Sequence, residues 1–371
     1  MGGTDPAVGY RLLGSTGLQV SELSLGTMTF GGGTTIGGVD AKGADELVGM
    51  ALDAGVNLFD TADAYSGGEA ERLLGRALGG RRDEVLIATK VRLKTGRRGV
   101  NDLGLSRAHI LDAVGASLKR LGTDRIDIYQ IHITDAWTPL EETLRALEDL
   151  VRWGQVRYVG CCNYPAWQVM KGLAISERHD WTRFASMQVH YSLASRELER
   201  EIVPLALDQK LGLLIWSPLA GGLLSGKFVA GKDGPAGSRR SSFDFPPVDH
   251  ERAFAIVEVL REIAESHETT VARVALAWLL HGEAVSSVIV GARRLEQLAD
   301  NLQASRLQLS DEELVRLEAV SAVPREYPQW MLEHPWDERM TSASHHGPAG
   351  SERGPAPDSP SGRGSERKPP P

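Results

Sequence analysis

Four side chains in this chain have the types and spacing needed to protonate a carbonyl oxygen. Asp60, Lys90 and His132 each close a short apolar run: Phe59-Asp60-Thr61-Ala62, Ile87-Ala88-Thr89-Lys90 and Tyr129-Gln130-Ile131-His132. Tyr65 follows Asp60 by five residues, in a stretch of small residues that leads into a helical pattern. A free phenol, with a pKa of about 10, is fully protonated at neutral pH but gives up its proton reluctantly. A neighbouring ammonium stabilises the phenolate and is expected to lower that pKa. A buried ammonium in turn needs a carboxylate partner. Asp60, Lys90 and Tyr65 can form that chain of carboxylate, ammonium and phenol. His132 can donate a hydrogen bond to the substrate oxygen and steady the charge that develops there. Taken singly, each residue has a plainer reading as a solvated charge or a packing group; four at consecutive strand ends do not.

The elements that would position them can be read from hydrophobic patterning. Eight short apolar runs, bounded by turn residues, read as buried parallel strands: Glu22–Gly26, Val56–Asp60, Val85–Lys90, Ile126–His132, Val156–Cys161, Ser186–Val189, Gly212–Trp216 and Ser287–Val290. Helical periodicity marks Asp40–Ala54, Glu69–Leu78, Ser106–Leu121, Pro139–Val151, Arg196–Lys210, Glu251–Ser266, Thr270–His281, Arg294–Gln303 and Ser310–Val320. Ser106 and Gly122 bracket one helix as cap residues, and Ser310 with Glu313 forms a capping-box pattern. Repeated strand–helix alternation predicts an α/β fold, a closed (β/α)₈ TIM barrel, whose reacting groups gather where strands end. Tyr10–Leu13 and the following Gly17–Leu25 segment suit a short hairpin at the barrel bottom. A doubly wound dinucleotide fold would require G-x-G-x-x-G after the first strand, which Gly31-Gly32-Gly33 does not supply.

In these segments the chain resembles the aldo-keto reductases, in the branch that includes bacterial general reductases and potassium-channel β-subunit-like proteins. The resemblance runs from about Gly9 to Trp330. It is carried by Tyr10-Arg11-Leu12-Leu13-Gly14, by Gly26-Thr27-Met28-Thr29-Phe30, and by Phe59-Asp60-Thr61-Ala62-Asp63-Ala64-Tyr65-Ser66 with Glu69. Gln130-Ile131-His132 with Asp135, and Trp216-Ser217-Pro218-Leu219, complete it. It implies a barrel that uses NAD(P)H without a Rossmann domain, with Tyr65 as proton donor, Asp60 and Lys90 tuning it, and His132 orienting the carbonyl; the cations expected at a 2′-phosphate suggest NADPH over NADH. It further implies that Asn163 and Gln188 hold the nicotinamide carboxamide and that Trp216 stacks on the ring. Thr27, Met28 and Asp60 would lie near the nicotinamide ribose. Ser217, Pro218, Leu219 and Gly221 would line the pyrophosphate path, with Lys227 and Arg239 as a clamp. Gly291, Arg293, Gln297, Asp300 and Asn301 would bind the adenosine end, Arg293 and Lys227 pairing with a 2′-phosphate. The family usually places Ser before the Asn after strand five. Here Cys162 stands there, a weaker donor, and His190 replaces a common Glu or Asn.

Composition narrows the alternatives. The 371 residues carry 41 Lys and Arg against 49 Asp and Glu, a net charge of −8, so no basic surplus exists for a nucleic-acid partner. The greasiest stretch, Leu211–Leu224, is interrupted by Gly212, Pro218, Gly221 and Gly222, so no membrane span is expected. The only cysteines, Cys161 and Cys162, are adjacent, which suits a reducing, cytoplasmic compartment rather than a disulfide framework. Gly221–Phe228 nearly spells a P-loop, but Phe228 replaces the hydroxyl that would ligate Mg²⁺. No metal site is expected; His345 and His346 alone do not make one. Residues 1–8 read as a flexible start and 9–340 as the barrel with extra C-terminal helices. Residues 341–371 lack Leu, Ile, Val, Phe, Trp and Tyr, hold seven of the 18 prolines, and read as a disordered tail. The expected partner is a small-molecule carbonyl compound. Phe30, Trp137, Trp330 and Trp336, in the flanking loops, suggest an apolar or aromatic one. Two other readings stay open: a Schiff-base lyase with Lys90 as nucleophile, and a cofactor-binding redox sensor without turnover.

Overall fold

The computed structural model describes residues 8–32, 38–95, 99–229, 231, 234, 238, 240 and 243–332. Arg239, Trp336, His345, His346, residues 1–7 of the expected flexible start, the 341–371 tail and part of the Phe30–Gly38 loop lie outside the described residues. The chain divides into two units, Met1–Val323 and Pro324–Pro371. In the second unit the described part contains one short helix, Gln329–Leu332.

An antiparallel hairpin opens the first unit, β1 (Tyr10–Leu12) paired with β2 (Gln19–Ser21). Eight parallel strands then close a barrel: β3 (Leu23–Gly26), β4 (Leu58–Asp60), β5 (Leu86–Val91), β6 (Ile126–Ile131), β7 (Val156–Cys162), β8 (Phe184–His190), β9 (Gly212–Trp216) and β10 (Val285–Val290). β10 pairs with β3 to complete the ring. All eight expected strands are present, with ends shifted by at most two residues and Gly212–Trp216 unchanged. Side chains alternate across each strand. One set packs outward against the helices. The other fills the interior, where Leu58, Ala88, Ile128, Ala185, Leu214 and Ile289 meet Leu13 and Val20 of the hairpin region. The hairpin therefore plugs the bottom with apolar volume.

Among the described residues, the first unit's longer helices are α1 (Ala41–Asp53), α2 (Glu69–Leu78), α3 (Arg107–Leu121), α4 (Leu140–Arg152), α5 (Ala166–His179), α6 (Ile202–Gln209), α7 (His250–Ser266), α8 (Val271–Leu280), α9 (Leu295–Leu302) and α10 (Asp311–Ser321). Their starts follow from local chemistry. Asp40, Ser106, Asp249 and Thr270 each accept a first-turn backbone N–H, and Ser310 and Glu313 form the expected capping box; such caps contribute about 1 kcal/mol each.

Three sequence expectations change. The helix α5 was missed, because its buried face includes the small residues Gly172 and Ser176 while Trp167 and Met170 face outward. That blurs the contrast between an apolar and a polar side. The single helix expected over Arg196–Lys210 is a 3-10 turn, Glu197–Arg200, followed by α6. Pro204 has no N–H to offer the Arg200 carbonyl, so one continuous helix cannot pass through that turn. Val8, assigned to the flexible start, is 1% exposed and belongs to the core.

Candidate active site

The chemistry-bearing residues sit one step above the apolar interior. Two residues beyond Leu58, Ala88 and Ile128, the same inward faces carry Asp60, Lys90 and Gln130. Lys90 is fully buried, and each of its three ammonium donors has an acceptor. It donates to Asp60 Oδ1 at 2.6 Å, to the Thr61 carbonyl at 2.8 Å and to Tyr65 Oη at 3.3 Å. Burial opposes its charge, but Asp60 and then Tyr65 outweigh that, so the ammonium is held above its ordinary pKa. An amine so fully protonated and committed is a poor nucleophile, which weighs against the Schiff-base reading.

Asp60 is held from several directions. Its Oδ2 accepts from Gln188 Nε2 at 2.6 Å and from Gln130 Nε2 at 3.5 Å, and its backbone carbonyl accepts from Thr27 N. Gln130 is fully buried and also accepts a hydrogen bond from the Cys162 thiol at 3.7 Å. It was not singled out from the sequence. The signal was there: an amide in the middle of an apolar strand, two residues before His132 and so on the same face.

Tyr65 occupies a 3-10 turn, Tyr65–Gly68, between β4 and α2. Ser66 has φ +48, and its hydroxyl donates to the Phe30 carbonyl at 2.7 Å, which pins the turn. Packing around the phenol raises the Tyr65 pKa above its ordinary value; the Lys90 ammonium pulls the other way without reversing this. The direction is opposite to the sequence expectation. Desolvation of a would-be phenolate is the larger effect, so the hydroxyl stays protonated and Lys90 moderates the cost of losing the proton.

His132 lies just past β6, its ring edge-on to Tyr65 with centroids 5.8 Å apart. Burial, followed by repulsion from Lys90 and Arg92, pulls its pKa down to about 3. The imidazole is therefore neutral and offers one N–H rather than a charge. Its Nδ1 is buried without a hydrogen-bond partner among the described residues.

From His132 a chain of contacts runs sideways. Asn163, at φ +54, donates from Nδ2 to the His132 carbonyl and accepts at Oδ1 from Trp216 Nε1, both at 3.0 Å. Trp216 stacks against His190 at 4.6 Å and lies nearly parallel to Phe245 at 5.9 Å. A cavity of about 460 Å³ opens beside these rings, bordered by Glu197, Pro246 and Arg252. Phe245 was not proposed as a site residue, and His190 stood out in the sequence only as a departure from the family pattern. Their place depends on packing between strand ends and the loop before α7, which no local pattern reveals.

Other expected cofactor residues fall into two groups. After β9, Ser217 accepts from the Gly221 N–H, and Ala220, Gly221 and Gly222 all have positive φ. Gly222, at φ +94, lets Lys227 approach the turn closely: a Cβ there would stand 3.2 Å from Lys227 Nζ and crowd it. Partial burial, and then the charges of Arg293 and Arg294, lower the Lys227 pKa. Three cations thus converge beside a glycine-rich turn, an arrangement that an anionic group would relieve. Thr27 presents a buried hydroxyl with no partner among the described residues, while Met28 beside it is half-buried. Pro218 is buried and Leu219 half-buried.

The second group is tied up within the protein or stands apart. Gln297 Oε1 accepts from the Arg293 N–H at the start of α9. Asp300 is engaged by Arg273 and by the Thr270 hydroxyl, both at 2.8 Å, and joins α8 to α9. Asn301 is 7% exposed, and Gly291 is exposed just after β10. Phe30 is fully buried and Trp137 is 93% exposed, so neither lines an enclosed substrate pocket. Cys161 and Cys162 are both buried, and burial pushes both thiols up, which leaves little thiolate for oxidant sensing. Among the described residues no cluster of metal-ligating side chains occurs, and no helix is long and apolar enough to cross a membrane.

The barrel and this tetrad can be set against known proteins. Residues 22–322 match the family model described as "Aldo/keto reductase family". The chain is 39% identical to an uncharacterized oxidoreductase of Bacillus subtilis over 83% of this chain and 94% of that protein. It is 38% identical to a probable voltage-gated potassium channel subunit beta of rice, Oryza sativa, over 84% of this chain and 96% of that protein. It is 35% identical to versiconal hemiacetal acetate reductase of Aspergillus parasiticus, over 83% of this chain and 96% of that protein. A closed eight-stranded barrel, an Asp60–Lys90–Tyr65 chain at its mouth and a family match across most of its length lead to one conclusion: the chain belongs to the aldo/keto reductase family, whose members are carbonyl-reducing oxidoreductases that generally use nicotinamide cofactors.

Proposed function

We propose that this protein is an NADPH-dependent reductase of small aldehydes or ketones, with Tyr65 as the general acid. The observation that carries this reading is the single ammonium of Lys90, hydrogen-bonded at once to Asp60 and to the Tyr65 oxygen. Lys90 donates to that oxygen, so the phenolic proton is free to point at a substrate.

The residues fit the cofactor. Lys227, Arg293 and Arg294 supply converging positive charge for a 2′-phosphate, which favours NADPH over NADH. The Gly221–Gly222 turn and Ser217 suit the pyrophosphate. Thr27, Asn163, Gln188 and Trp216 would face the nicotinamide end; Gln188 has its Nε2 on Asp60, so its Oε1 is the atom left for a carboxamide. When bound, the cofactor supplies a hydride to the carbonyl carbon. As the carbonyl π pair moves onto oxygen, Tyr65 Oη delivers its proton there. The resulting phenolate is stabilised by Lys90, whose charge Asp60 balances, and is reprotonated from water. His132, held neutral, donates a hydrogen bond that orients the carbonyl. General acid catalysis of this kind contributes about 10²–10⁴ in rate; orientation of the reactants supplies much of the rest. The paired, buried cysteines fit a reducing, cytoplasmic compartment.

Replacing Tyr65 by Phe removes only the hydroxyl. Aldehyde-dependent oxidation of NADPH should fall by at least about 10², with NADPH affinity, measured by fluorescence titration, changed by no more than a few-fold. Unchanged turnover in that variant would remove Tyr65 as the acid. Tight NADPH binding with no turnover on a broad carbonyl panel would favour the redox-sensor reading instead.

A further inference from the structure

A second buried ion pair lies on the outer side of the barrel wall, directly behind the catalytic one. Glu71, on α2, is fully buried, and both of its carboxylate oxygens are used. Oε1 accepts from Thr89 Oγ1 at 2.6 Å, and Oε2 accepts from Arg120 Nε at 2.6 Å. Arg120, on α3, is steadied by Ser117 Oγ at 3.1 Å. The two arms of this contact end at two points that matter. Thr89 is the residue before Lys90, and successive strand residues face opposite sides of the wall. Its hydroxyl therefore holds β5 from outside at the level where Lys90 projects inside. Arg120 packs under Gly68, the last residue of the turn that carries Tyr65. A Cβ on Gly68, which has φ +92, would lie 2.7 Å from Arg120 Cδ and 2.9 Å from its Nε.

We propose that Glu71 is a positioning residue for the reaction: through Thr89 and Arg120 it sets the separation between Lys90 on β5 and Tyr65 in the turn before α2. The two catalytic groups come from different elements and touch at 3.3 Å, the longest of the three Lys90 hydrogen bonds. A small outward movement of either element would break that contact while leaving Lys90 on Asp60. Glu71 sits between the two elements and resists that movement. The inference rests on the reading of Tyr65 as proton donor.

The test uses the full-length chain with Thr89→Val, which removes the hydroxyl at nearly constant volume, Thr89→Ser, which keeps it, and Glu71→Gln. In Thr89→Val, kcat should fall about 10- to 100-fold, as expected for a small misplacement, while KM for the carbonyl and the affinity for NADPH stay within about twofold of wild type. Thr89→Ser should restore kcat. A second readout needs no substrate: the nitrogen resonance of the Lys90 ammonium. In the wild-type background Tyr65→Phe should shift it; in the Thr89→Val background that shift should shrink, because the Lys90–Tyr65 contact is already lost. If wild type reduces no carbonyl, the functional reading fails and the resonance still decides the positioning claim. If Glu71→Gln does not fold, Thr89→Val decides it. A folded Thr89→Val protein with wild-type kcat and an undiminished resonance shift would overturn the proposal.

Discussion

The lower and upper halves of the barrel interior are built from the same strands and do opposite things. In the lower half Leu58, Ala88, Ile128 and Leu214 pack against Leu13 and Val20 of the hairpin region, with no polar atom to satisfy. Two residues further along, the same faces carry Asp60, Lys90, Gln130 and Trp216. There Asp60, Lys90, Gln130 and Trp216 are each held by a specific partner, whereas His132 Nδ1 and Thr27 Oγ1 have none among the described residues. The lower half tolerates any well-fitting apolar volume. The upper half cannot, because a buried charge without its partner is costly. One strand turn therefore separates residues whose loss should affect stability from residues whose loss should affect chemistry.

The sharpest way to break that contrast is to change neighbours on one strand face. Asp60→Asn keeps the shape but removes the charge that balances Lys90. Turnover should fall by about 10²–10⁴, measured as carbonyl-dependent NADPH oxidation. Leu58→Ala, one step below, should cost about 2–5 kcal/mol of stability in a denaturant titration. Its kcat, measured well below the melting transition, should stay near wild type. If Leu58→Ala lost turnover in the folded state, the two layers would not be separable.

A buried carboxyl on the outer side of the wall sharpens the point by pH. Asp63 is fully buried, no side chain among the described residues hydrogen-bonds to its oxygens, and its pKa is raised to about 8. Burial is the main cause, followed by Glu71, while Arg120, the Ala64 backbone N–H and Lys90 act in the opposite direction. Between the unfolded value near 4 and the folded value, the native state holds a proton that the unfolded chain has released. Stability is therefore lost as pH rises through that window and levels off above about pH 8. Asp63→Asn should show a melting-temperature advantage over wild type that is absent near pH 4, grows towards about pH 8 and then stays constant. The full difference is on the order of a few kcal/mol. A constant offset at all pH values would mean that Asp63 does not titrate in the native state. The smallest expected effect lies at the rim: Lys227→Glu should raise KM for NADPH about tenfold or more while changing KM for NADH little, as for loss of one charge-assisted contact. Equal effects on both cofactors would detach Lys227 from the 2′-phosphate.

Much of the fold was legible because it rests on local rules. Runs of about five apolar residues ending in polar ones mark strands buried on both faces, and caps such as Ser106 and Ser310 mark helix starts at the residues observed. The misses have physical causes of their own: small residues on the buried face of α5, and Pro204 interrupting the hydrogen bonds that one long helix would need. At the site, Asp60, Tyr65, Lys90 and His132 were readable because strand-end ionisable groups stand out against apolar runs. Gln130 was readable in principle. The Gln188 bond to Asp60 was not, since it joins residues 128 positions apart. Nor was the Glu71 bridge, because a glutamate in an amphipathic helix ordinarily faces water.

The residue order by itself determined the alternation of strands and helices, and with it which functional groups stand at the barrel mouth. Only the tertiary structure decided how those groups behave. Sequence chemistry placed an ammonium beside a phenol and expected a lowered pKa; the folded protein raises it, because enclosure by neighbours from many strands outweighs one favourable charge. Proximity along a strand follows from local geometry. The balance between desolvation and Coulomb attraction depends on every surrounding element at once, and that sum exists only after the barrel has closed.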